Sequence, residues 1–191
     1  MIVIEQLWKD LLGQYVFLGR ALLLMPLLVI AFLYFRDHRG EAATELKKLL
    51  RQPWRIAFFF YLAFILINTV FSRTTTNPLE HVLSHFGFGA DVNWNNQIIE
   101  NILLFIPCTF FYLNAFPVRK PVRDAAVLSA ALTLSVELCQ LIFWLGEFQL
   151  SDLFHNFLGG MIGCGLWYLA GWLRRRLKLL WRQRQERRRQ A

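Results

Sequence analysis

The chain predicts an all-α fold, a polytopic transmembrane helical bundle of about five spans, and three observations carry that prediction. Of its 191 residues, 56% are hydrophobic and only 18% charged, with a mean hydropathy of +0.38. The apolar residues gather into runs of about 16 to 21, a length matched to a hydrocarbon layer roughly 30 Å thick. The lysines and arginines fall between alternate runs: eighteen of the 21 lie in 36–55, 117–124 and 174–191. The runs show no strict alternation, which excludes a closed barrel, and in lipid helices are then the way to satisfy the backbone. The positive-inside rule places the N-terminus outside and the C-terminus in the cytoplasm.

The organisation expected is two N-terminal spans with a cytoplasmic amphipathic helix (1–71), a three-span core with an outer loop (72–173), and a basic cytoplasmic tail (174–191). The start of the chain has no basic stretch ahead of its first apolar run, and no small-residue cleavage signal follows, so that run is expected to remain as a span. Span 1, Tyr15–Phe35, contains Pro26, which should bend it, and Arg20, close enough to its outer end to snorkel. Glu41–Gln52 sets Leu46, Leu49 and Leu50 among charges before Pro53, the pattern of a short helix lying on the cytoplasmic leaflet. Span 2 is placed at Ile56–Phe71.

The outer loop, Ser72–Gln97, carries His81 and His85 at i and i+4. With Glu80 or Asp91 such a pair can hold zinc, but no third ligand is fixed by the spacing, and an interfacial helix with its histidines in water accounts for them. No metal and no cofactor is expected. Span 3, Ile102–Phe116, contains Pro107, which frees a carbonyl in mid-helix and widens the space beside it. Span 4 is placed at Ala125–Leu145 and span 5 at Leu153–Leu173. Cys108, Cys139 and Cys164 sit in apolar runs without metal spacing and read as small packing residues. The tail, with Leu177, Leu179, Leu180 and Trp181 among its arginines, follows a span directly. It is expected to rest on anionic lipid headgroups, and no nucleic-acid partner is expected.

Spans 4 and 5 carry groups that hydrocarbon should reject. Glu137 and Gln140 share one helical face, as do Asp152, His155 and Asn156 at i, i+3 and i+4. Asn101 opens span 3 on the same side. An ionisable residue inside an apolar span is a functional-site hypothesis by default. Glu137, well below the outer end of span 4, is expected to be protonated or hydrogen-bonded to a partner such as Gln140 or Asn101. Each polar residue also has a structural reading. Asp152 after Ser151 fits a helix cap, and Asn156 fits an interhelical hydrogen bond. Gly159, Gly160 and Gly163 are helix-packing positions that let a neighbour approach closely.

Asn101-x3-Phe105-x-Pro107, then Glu137-x2-Gln140, then Asp152-x3-Asn156-x2-Gly159 with Gly163, resembles the VanZ-like family of bacterial integral membrane proteins over roughly Ser72 to Gly171. The resemblance implies a multi-pass protein of the bacterial cytoplasmic membrane, whose namesake is associated with low-level resistance to the glycopeptide teicoplanin. Members of the family usually carry an Arg and an Asp in the loop before span 5, where this chain has Gly146, Glu147 and Gln149.

The function expected is non-enzymatic: engagement of an amphiphile or cell-envelope component from the outer leaflet, with an effect on teicoplanin-type susceptibility. The alternative is an enzyme on a lipid-linked substrate with Glu137, Asp152 and His155 as acid–base groups. It ranks lower because no nucleophile elbow, paired-aspartate metal motif or phosphate-binding glycine loop is present. A proton-coupled carrier using Glu137 ranks below both, since no repeat is evident, although an oligomer could supply the symmetry.

Overall fold

The computed structural model describes residues 15–36, 51–71, 92–145 and 148–190, with positions 77, 79, 82 and 89. The elements among them are all helical: α1 Tyr15–Arg36, α2 Pro53–Leu66 running on into a π-helical turn Ile67–Phe71, α3 Val92–Ala115, α4 Pro121–Phe143 and α5 Leu150–Gln190. The amphipathic segment expected at 41–52 falls outside the described residues except for its last two. The histidine pair at 81 and 85 falls outside them entirely.

Each helix grows from one apolar run, and local chemistry sets its ends. α2 and α4 begin on Pro53 and Pro121, residues whose missing N–H costs nothing in a first turn. α4 stops at Trp144, which takes a left-handed φ of 57° and returns its N–H to the Gln140 carbonyl. Leu145 donates to the same carbonyl at 3.0 Å, closing the helix end. Pro26 and Pro107 both lie inside unbroken helices.

Two boundaries differ widely from the sequence expectation, the others by a turn or so. α3 begins at Val92, well ahead of Ile102, and α5 continues past Leu173 to Gln190. No glycine or proline interrupts 173–190, and its leucines, arginines, lysine and glutamines are all good helix formers. α5 is therefore 41 residues long, about 62 Å at helical rise.

Register follows from the glycines of α5. A Cβ on Gly159 would run into the Ile102 carbonyl, and one on Gly163 into the Ile106 carbonyl, so α3 and α5 lie backbone to backbone and run in the same direction. Their constant offset sets Ala115, the last residue of α3, level with Trp172. The rest of α5 then projects about 27 Å beyond the bundle, exposed from Leu173 to Arg188. α4 runs against both: Asn156 meets Thr133, Gly160 meets Ser129, and Cys164 meets the Pro121 carbonyl. α2 is antiparallel to α3, its first turns packing on the last turns of α3.

The two ends of the bundle differ in chemistry. At the Pro53 end, Phe32, Phe58, Phe59, Tyr112 and Phe116 form an aromatic cluster, with Phe58 edge-on to Phe116 at 5.5 Å and Phe32 tilted on Phe59 at 5.1 Å. Arg55 joins it. Its Nε donates to the Ala115 carbonyl at 3.1 Å and its guanidinium lies over the Phe116 ring, so a cation caps the C-terminal end of α3. The opposite end, where α5 begins and the π turn lies, is polar.

Among the described residues three helical stretches are long and apolar enough to cross a membrane: Pro53–Val70, Asn95–Ala115 and Pro121–Phe143. A shorter apolar stretch covers Arg20–Phe32. Polarity is reversed from that of a water-soluble bundle. The buried face of α4 holds Ser129, Thr133, Glu137 and Gln140, while Val127, Leu134, Leu138, Ile142 and Phe143 point outward. α5 repeats the pattern, burying Asp152, His155 and Asn156 and exposing Phe154, Leu158, Ile162 and Leu166. A helix in water turns its apolar stripe inward, so this surface suits a lipid bilayer.

Candidate functional site

Four segments bring polar groups to the Leu150 end: the π turn, the start of α3, the last turns of α4 and the first turns of α5. Glu137 is 1% exposed. Its Oε2 accepts the backbone N–H of Gln149 at 3.1 Å, which ties the last turns of α4 to the residue just before α5. Neither partner expected from the sequence fills that role. Gln140 turns its amide to the π turn, and the Nδ2 of Asn101 has no partner among the described residues.

The Gln140 contact has a backbone cause. At the π turn side chains bond back to carbonyls one turn earlier: Asn68 donates to Phe64 at 2.9 Å and Thr69 to Ile65 at 2.8 Å. The Thr69 carbonyl then accepts Gln140 Nε2 at 2.7 Å. Because a carbonyl only accepts, this bond fixes the orientation of the Gln140 amide and leaves Oε1 facing elsewhere.

Asp152 is not the N-cap residue of α5. The helix starts at Leu150, whose N–H goes to the Val82 carbonyl of the loop, and Asp152 stands inside the first turn. An acidic side chain there is favoured by the helix dipole. One turn further in, Asn156 Nδ2 donates to Thr133 Oγ1 at 3.0 Å. Below that level Thr109 and Ser129 share a hydroxyl contact at 3.2 Å over Gly160, where a Cβ would strike the Ser129 hydroxyl. The three packing glycines thus sit where α5 crosses α3 and α4.

Of the residues singled out in the sequence, Glu137, Gln140, Asp152, His155 and Asn156 are all buried at this end, and Asn101 is half-buried on α3. Sequence reasoning missed Thr69, Asn96, Thr133 and Ser151, which are buried there too. Ser129, Thr133 and Glu137 recur at i+4 through an apolar run, and that polar period was the available signal.

Buried polar atoms at this end that make no hydrogen bond among the described residues include Asn96 Oδ1, Asn101 Nδ2, Gln140 Oε1 and Asn156 Oδ1. A buried polar group left unpaired costs about 1–3 kcal/mol, a cost that water or another polar partner would offset. Chemically the site offers carboxyl, amide, hydroxyl and imidazole groups, enough to bind and orient a polar head.

No curated protein and no solved structure matches the chain. The family model VanZ/LLP1 matches residues 56–171, beginning ahead of Ser72 and so taking in most of α2, the π turn, α3, α4 and the part of α5 that packs in the bundle. On that match, covering more than half of its length, the chain belongs to the VanZ/LLP1 family.

Proposed function

We propose that this VanZ-family membrane protein crosses the bilayer five times, with its N-terminus outside and its tail in the cytoplasm, and holds the polar head of an amphiphile in the site around Glu137. In this orientation the Leu150 end faces the outer leaflet, and the basic segments 36–55, 117–124 and 174–191 share the cytoplasmic side. The alternating helix directions and the Arg55 cap on α3 support that arrangement. The observation that carries the reading is the group of unpaired polar atoms, Gln140 Oε1 and Asn156 Oδ1 among them, buried in a bundle whose outer surface is apolar. The lipid-facing side of α4 and α5 offers an amphiphile a route to the site.

By holding such a molecule the protein alters the response to lipid-tailed glycopeptides of the teicoplanin type. The test is expression in a sensitive host. The chain should shift teicoplanin susceptibility, and Glu137→Gln, which keeps an oxygen for the Gln149 N–H, should abolish the shift. No shift from the unaltered chain, or an undiminished one from the variant, removes the reading.

A second reading has one observation in its favour. Glu137, Asp152 and His155 are all buried at the same end, as acid–base groups acting on a lipid-linked substrate would be. Turnover of an isoprenoid-linked precursor by the purified protein, lost in His155→Ala, would promote it over the first.

A further inference from the structure

We infer that the stretch of α5 beyond the bundle is a docking surface for an acidic amphipathic helix of another protein on the same side of the membrane. This surface is independent of the site around Glu137 and requires only that the bundle lies in lipid.

Leu173, Leu177, Leu180, Arg184 and Arg187 recur in steps of four, three, four and three, the spacing of a coiled-coil seam. α5 is helical through all five, so they form one stripe about 21 Å long. All five are exposed, Leu177 by 64% and Leu180 by 56%, and Trp181 at the edge of the stripe is exposed by 61%. Leu177, Leu180, Trp181, Arg184 and Arg187 border one open recess of about 580 Å³. The stripe thus has an apolar half next to the bundle and a cationic half at its far end.

That order decides among occupants. Arg174, Arg175 and Arg176 follow directly on Trp172, which is level with the end of α3, and mark the edge of the hydrocarbon. Headgroups reach about 5–8 Å further. Leu180 and Trp181 stand about 12–14 Å past Trp172 and Arg184 about 18 Å, clear of that layer, so lipid does not cover them. A second copy enters the membrane the same way and could pair only in parallel. Its Arg184 and Arg187 would then meet their own counterparts in the seam, and like charges there reject the pairing. The chain's own segment 41–52 sets Glu41 and Glu45 against Lys47, Lys48 and Arg51, so it adds positive charge instead of cancelling it. A nucleic acid would answer the arginines and leave the leucines uncovered. A helix with leucines facing 173–180 and carboxylates facing Arg184 and Arg187 meets both halves of the stripe.

The test uses the full-length protein in phosphatidylcholine nanodiscs and a synthetic three-heptad peptide, leucines in one half of its seam and glutamates in the other half and along the flanks. Binding is read from the fluorescence anisotropy of the labelled peptide. The unaltered protein should bind it, and exchanging the peptide's glutamates for lysines should abolish binding. Leu177→Gln combined with Leu180→Gln, at exposed positions and with every charge kept, should weaken binding about tenfold or more. No binding by the unaltered protein would overturn the assignment, and so would undiminished binding by the double variant, which would reduce the contact to charge alone. A spin label at position 181 with lipid-like oxygen accessibility in nanodiscs containing phosphatidylglycerol would lay the stretch on the bilayer instead. Disulfide formation in a Leu46→Cys, Leu177→Cys variant of a cysteine-free background would give the stripe to the chain's own segment. A single-stranded RNA oligomer bound more tightly than the peptide would give it to nucleic acid. Each of these three results would also overturn the assignment.

Discussion

Glu137 Oε2 and the backbone N–H of Gln149 lie 3.1 Å apart, so a carboxyl inside α4 holds the residue from which α5 departs. This bond explains how an acid can be built into an apolar helix. It faces a neighbouring helix rather than acyl chains, and it satisfies a backbone donor at a buried helix start, where no intrahelical partner exists. In the proposed reading function and folding share one side chain, which makes the choice of substitution decisive.

At Glu137 two replacements should separate. Glu137→Gln keeps an acceptor for Gln149, and a hydrogen bond within a membrane protein averages about 0.6 kcal/mol, so its loss of stability should be small. Glu137→Leu strands the N–H and should cost about 1–3 kcal/mol. Unfolding by graded detergent denaturation measures both, and equal costs would show that the bond does not matter.

The α5 glycines give a contrast along one helix. Gly159→Ala and Gly163→Ala place a methyl against the Ile102 and Ile106 carbonyls, atoms that cannot move without parting α3 from α5. Each should cost about 1–3 kcal/mol, as overpacking does. Gly165→Ala meets open space and should be neutral or better by up to about 1 kcal/mol. Thermal midpoints of the three variants in one detergent decide the matter, and a destabilised Gly165→Ala would count against the register.

Trp144 carries a backbone conformation that costs a residue with a side chain about 1–2 kcal/mol. It is also more than half exposed, so its ring packs little within the chain. Trp144→Gly should therefore hold or raise stability, while Trp144→Val, branched at Cβ, should lower it. The same denaturation assay reads the order of the two, and the reverse order would speak against the left-handed helix end.

Gln140→Met should disturb the π turn, because the Thr69 carbonyl loses its donor and no side chain replaces it. The expected loss is about 1–3 kcal/mol. It should come with faster hydrogen exchange at Ile67–Phe71 than in the unaltered protein, and unchanged exchange there would separate Gln140 from the turn.

Most of the helices were legible because lipid imposes a length on apolar runs, and Glu137, Asp152 and His155 stood out as costly in that setting. The early start of α3 was hidden by Asn93, Asn95 and Asn96, which read as loop residues. In the folded chain Asn96 and Ile98 are buried, and packing outweighs propensity. Asn95 meanwhile exchanges hydrogen bonds with Gly89. The π turn had no signature, since Ile67–Phe71 would extend α2 equally well as an α-helix. The partner of Glu137 was hidden for another reason: it is a backbone N–H, and no residue type advertises one.

Lipid exposure along α4 tests the central claim most directly. Single spin labels placed from 125 to 143 in a cysteine-free background, with the protein in nanodiscs, report oxygen accessibility residue by residue. Accessibility should peak at 127, 134, 138 and 142 and fall at 129, 133, 137 and 140, a helical period with the acid at its minimum. A maximum at 137 would put the carboxyl against acyl chains and contradict the account.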